Sequence, residues 1–143
     1  MKYDKLVLTQ HFQKYSPYVT HVAVAHSSFH PYNATDRKIG AMLEEFQNKQ
    51  LRHFVRRFGQ ALYQAKALRK PDEFMPLMFI TIEGARASAL PEHTIHANFA
   101  LGNIPALLSV AELKDIFTEC WVEKTRIANN DIWLDQVSAL GRH

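Results

Sequence analysis

Two periods alternate along this chain, one of two residues and one of three to four. Residues 18–26, Tyr-Val-Thr-His-Val-Ala-Val-Ala-His, are rich in β-branched and small side chains and run into a polar stretch at 27–33, which predicts a first strand and a loop. From about residue 36 to 67 there is no proline, and Ile39, Met42, Leu43, Phe46, Leu51, Phe54, Val55, Phe58, Leu62 and Ala65 recur mostly three or four apart. That spacing predicts a long amphipathic helix, or two with a break near Gln47-Asn48 or Gly59, closed by Pro71. Residues 75–83 form the most apolar short run and predict a central strand ending in Glu83; 84–92 carry turn formers. Residues 93–101 alternate, with Ile95, Ala97, Phe99 and Leu101 on one side and Thr94, His96, Asn98 and Ala100 on the other. Ser109 with Glu112 forms the signature of a capping box for a helix over roughly 110–124. After an Asn129-Asn130-Asp131 turn, residues 131–137 predict a last strand.

The order strand, long helix, strand, strand, helix, strand is that of an α+β domain: a mainly antiparallel sheet of three to five strands with helices packed on one face. At 143 residues, 47% of them hydrophobic, the chain suits a single domain over 1–143. No run approaches the roughly 20 apolar residues of a membrane span and no signal-like block follows Met1, so a soluble, cytoplasmic protein is expected. Cys120 is alone, which excludes an intramolecular disulfide and a cysteine-rich zinc site.

The net charge of +3 is a mild bias towards anionic partners, and its distribution says more. Lys49, Arg52, Arg56, Arg57, Lys66, Arg69 and Lys70 follow one another with no acid between them, and so lack the Glu-to-Lys pairs of a merely solvated helix. They are expected to contact phosphates in a salt-dependent way. Phe29 and Tyr32 in the first loop are the better stacking candidates, whereas Trp121 and Trp133 are expected in the core.

His96 and Asn98 are two apart on a strand, so both point to one face about 7 Å apart at the backbone and can converge on one ion. Glu83 would adjoin His96 if 75–83 and 93–101 pair. The three would then make a metal site with positions left for water and a phosphate oxygen. His93 is expected on the opposite face from His96, and His21, His26 and His30 match no standard metal spacing.

These stretches resemble the HUH endonucleases, and among them the nicking domains of rolling-circle replication initiators of plasmids and small phages, whose fold is related to that of RNA-recognition domains. The matching segments are Phe79-Ile80-Thr81-Ile82-Glu83-Gly84, then His96-Ala97-Asn98-Phe99-Ala100-Leu101 with Pro105, then Leu113 to Trp121 and Ile132 to Val137. The basic Arg52-His53-Phe54-Val55-Arg56-Arg57-Phe58 helix is similar to one that precedes the acid-bearing strand in such initiators. The resemblance implies binding of single-stranded or origin-hairpin DNA, with Glu83, His96 and Asn98 holding Mg²⁺ or Mn²⁺. The ion would polarise a phosphate for attack by a tyrosine.

Two departures stand out. Asn98 occupies the place of the second histidine, and all five tyrosines precede the motif. Either the chain stops short of the tyrosine helix, or it keeps the scaffold without the nick, or Tyr63 or Tyr32 has been recruited. The alternative from another class is a small protein-interaction or regulatory factor, such as a phage-encoded one, that does not cleave DNA.

Overall fold

A computed structural model describes residues 16–64, 69–70, 73–87, 90–123 and 128–137. A 3₁₀ turn at Ser16–Tyr18 leads into β1 (Val19–Ser27). Helix α1 (Asp36–Glu45) follows, capped by the Thr35 hydroxyl, which accepts from the Lys38 N–H. A π-helical turn, Phe46–Leu51, joins it directly to α2 (Arg52–Tyr63). Then come β2 (Leu77–Glu83), β3 (His96–Gly102), α3 (Val110–Val122) and β4 (Ala128–Gln136). The capping box at Ser109 and Glu112 forms as its sequence predicts.

The strands make one antiparallel sheet in the order β2-β3-β1-β4. Two βαβ units interleaved in this way are the split-βαβ, ferredoxin-like arrangement. The helices lie against one face. Phe54, fully buried, touches Phe99 of β3 at a ring-centroid distance of 5.4 Å, Phe117 at 4.6 Å and Trp121 at 5.3 Å. Ala23, Ala25 and Ala97 on that face are small enough to let these rings approach the strands.

The expected break near Gln47-Asn48 is a π turn, and the helix runs on through it. Phe46 and Leu51 are five apart, one too many for an α-helical stripe, and the Arg52 N–H bonding to the Gln47 carbonyl five residues back absorbs the extra residue. Both side chains stay buried.

Three further expectations are corrected. The run at 75–83 gives an edge strand, not a central one, because its apolar residues serve both faces: Met78, Ile80 and Ile82 pack on the core while Leu77 and Phe79 lie opposite, half-buried. Asn129-Asn130-Asp131 belongs to β4 and is no turn before it. Trp121 is fully buried, but Trp133 is 45% exposed, since Ile132 and Leu134 take the core positions of β4 and alternation turns Trp133 outward.

Candidate functional site on the open face of the sheet

Strand registers place the outward side chains in rows that cross the sheet. Phe79, Ala100, Val22 and Asp135 form one row, and Thr81, Asn98, Val24 and Trp133 the next. The third holds the chemistry: Glu83 of β2 faces His96 of β3, which faces His26 of β1, while Asp131 of β4 acts on His26 electrostatically. The pairing of 75–83 with 93–101 therefore brings Glu83 to His96 as expected, with Oε2 and Nε2 3.5 Å apart. Asn98 shares the face but sits one row away, between Thr81 and Val24.

The segment before β3 is held against β1 by main-chain bonds. The Ser27 N–H and hydroxyl both donate to the Ile95 carbonyl at 2.9 and 2.6 Å, and the Ile95 N–H donates to the Phe29 carbonyl at 3.0 Å. Thr94 thereby lies beside both imidazoles. His96 Nδ1 is 3.2 Å from the Thr94 carbonyl and His26 Nδ1 is 3.0 Å from the Thr94 hydroxyl. A carbonyl only accepts, so the contact with Thr94 places a proton on His96 Nδ1, and the ring's Nε2 faces Glu83. From behind, the Trp121 indole N–H donates to the His26 main-chain carbonyl at 3.0 Å and ties α3 to this strand end. Gly84 turns the chain away after Glu83 with φ of +81°; a Cβ there would stand 2.8 Å from the Thr94 carbonyl oxygen.

The His26 and His96 ring centroids are 5.1 Å apart. Burial, then the neighbouring His96, hold the His26 pKa below the ordinary histidine value, against the opposing pull of Asp131. A cleft of about 1250 Å³ opens over this row, with His30, Arg86, Glu92 and His93 on its walls. His93 thus shares a cleft with His96, contrary to the opposite-face expectation, because residues 93–95 precede the regular strand. As the side chains stand, no three histidine, cysteine or carboxylate groups among the described residues are placed to hold one ion.

The chain matches no family model, no curated protein and no solved structure.

The basic residues lie elsewhere. Arg52 and Arg56 are exposed and sit two positions from Phe54 and Phe58, about 200° around α2, so they point away from the sheet. The cations are not all unpaired as expected: Lys49 meets Glu45 at 3.3 Å, and Arg57 meets Glu123 of the α3 end at 2.7 Å. The acids come from outside the 49–70 run, one a helical turn upstream and one from another helix, where a count within the run misses them. Arg69 and Lys70 are exposed, and Lys66 lies outside the described residues.

Of the two tyrosines, the Tyr63 hydroxyl donates to the Asn103 carbonyl, beyond the opposite end of β3 from His96. Seven residues of strand put that point roughly 23 Å from the histidines. Tyr32 is exposed in the loop that bonds through Asn33 to Ala87, at the cleft end. His21 lies buried on β1, while His26 faces the cleft, so the three early histidines make no common site. Sequence reading gave His26 little weight. Its partner is 70 residues away on a strand not adjacent in sequence, and only the β1–β3 register brings the two together.

Among the described residues no helix is long and apolar enough to cross a membrane.

Proposed function

We propose that this chain is a DNA-binding domain of the rolling-circle initiator type, which takes single-stranded or origin-hairpin DNA at the open-face cleft and grips phosphates through Arg52 and Arg56 on the helix layer. The observation that carries the reading is Glu83 standing across from His96 on the open face of a split-βαβ sheet. The resemblance requires this juxtaposition and composition alone does not supply it. Glu83 and His96 are suited to hold a divalent ion, which would supply a Lewis acid for a phosphate oxygen. The protein itself orients His96 through Thr94 and offers Arg86 at the cleft wall to an anion. Tyr63 is too distant to attack a phosphate held there, and Tyr32, two residues from the cleft-lining His30, is the nearer of these two candidates.

Fluorescence anisotropy with labelled single strands, hairpins and duplexes tests the reading. Affinity that falls steeply with salt supports it, and absence of DNA binding at 50 mM salt overturns it. Incubation with Mn²⁺ and labelled single-stranded DNA separates a nicking enzyme from a binding domain: a covalent adduct lost in Tyr32→Phe marks the enzyme. Exposed Trp133 beside Val24 favours a second reading, a protein-interaction factor whose partner covers the sheet. That reading expects no DNA affinity.

A further inference from the structure

We propose that the open face of the sheet is, along β4, a docking surface for a basic segment of another protein, whose lysine or arginine side chains meet Asp131 and Asp135 and whose arginine stacks on Trp133. The inference goes beyond the cleft reading and does not depend on it.

The distribution of charge carries it. The chain has 17 lysines and arginines, and none lies in the four strands described. Histidines aside, the charged side chains of those strands are Glu83, Asp131 and Asp135, all acids and all on the outward face. Glu83 is engaged by His96 at the cleft. Asp131 and Asp135 stand on β4 two residues either side of Trp133, each about 7 Å from it along the strand. A chain with a net charge of +3 thus presents an acidic strip, on the face opposite Arg52 and Arg56.

The strip is built around an aromatic ring. Trp133 is 45% exposed and lies across the ladder from Val24, while Asp135 lies across from Val22. An exposed indole beside two half-buried valines offers apolar area for a partner to cover, and its π face attracts a guanidinium. The carboxylates on both sides of the ring select the sign of what lands there. A phosphate backbone along β4 meets repulsion. So does a second copy placed face to face, because it sets acids against acids. A cationic segment suits all three residues, and arginine is the side chain that stacks on an indole while still donating to a carboxylate.

Selection from a random peptide library on the full chain tests this, with the Asp131→Asn, Asp135→Asn double variant as the counter-target. Asparagine at 135 keeps the oxygen that accepts from the Gln136 N–H and removes only the charge. The expected peptides are rich in arginine and lysine with apolar residues between them, and they shift the emission of Trp133. Their binding should weaken roughly tenfold in the double variant and in Trp133→Ala, and fall with added salt. Unfolding midpoints of each variant separate a lost surface from a lost fold. No enrichment, enrichment of acidic or uncharged peptides, or equal binding by the double variant overturns the inference. So does self-association that Trp133→Ala abolishes, which makes the occupant a second copy, or DNA affinity that Trp133→Ala abolishes, which makes it a nucleic acid. Peptide binding without DNA binding sinks the DNA reading alone. DNA binding that survives these substitutions, without peptide binding, sinks this proposal alone.

Discussion

Gln50, buried in the π turn, donates its side-chain amide to the main-chain carbonyl of Trp121 at 2.7 Å, joining the long helix to the last turn of α3. That carbonyl is among the last four of its helix and lacks an intrahelical donor. Gln50→Leu keeps the volume and removes the donor, leaving a buried acceptor unpaired. The expected cost is about 1–3 kcal/mol, read as a lower urea midpoint with an unchanged slope. An unchanged midpoint would mean that the carbonyl finds another partner.

At Gly102 the end of β3 passes against the main chain of Tyr18, and a methyl group there would overlap the Tyr18 carbonyl. Backbone cannot swing aside as a side-chain tip can. Gly102→Ala should therefore cost about 1–3 kcal/mol, visible as a drop in Tm. Gly40→Ala is the control, since nothing lies near its Cβ position.

His21 is buried on β1, and its Nε2 has no hydrogen-bond partner among the described residues. Burial lowers its pKa, against an opposing pull from Asp135. The unfolded chain then binds a proton near the ordinary value of about 6.5 while the folded chain still refuses it. Stability is thus intact above that value and falls as the pH drops below it, down to the folded pKa. His26 shifts in the same direction and adds to the effect. Unfolding midpoints between pH 7.5 and 5 should decline, and His21→Gln should flatten part of that decline. A midpoint that rises on acidification would reverse the sign assigned here.

Arg52 and Arg56 are the cations of α2 that project away from the core, whereas Arg57 is engaged by Glu123. If both contact phosphates, Arg52→Ala with Arg56→Ala should make the plot of log K against log salt shallower by roughly 1.4 for single strands or 1.8 for duplex. Arg57→Ala should leave the slope nearly alone and lower stability instead. An equal change in slope for Arg57→Ala would show that the ion pair opens to meet DNA.

Local periodicity made most of the architecture legible. The alternation from Ile95 to Leu101 marks which face of β3 is core, and the Ser109 cap marks where α3 starts. The π turn was legible only as an irregularity, because a spacing of five between Phe46 and Leu51 reads equally as a break or as an inserted residue. Strand order was harder. The apolarity of 75–83 suggests a central strand because hydrophobicity reports burial, and an edge strand with side chains half-covered on both faces looks the same in sequence. For the site, Glu83 and His96 were found through the short connection between their strands. His26 and Asp131 enter through β1 pairing with β3 and β4, contacts between segments distant in the chain.

The sheet separates two surfaces that share no side chain. On one side Arg52 and Arg56 ride on a helix anchored by Phe54 and Phe58; on the other Glu83, His96 and His26 rest on strands whose inner residues are those same rings' neighbours. Changes to one surface leave the other's contacts intact, so their free energies should sum. Each surface is therefore separately heritable: a lineage can alter the charges of the helix face, or replace the histidine row, while the aromatic core between them keeps the other in place.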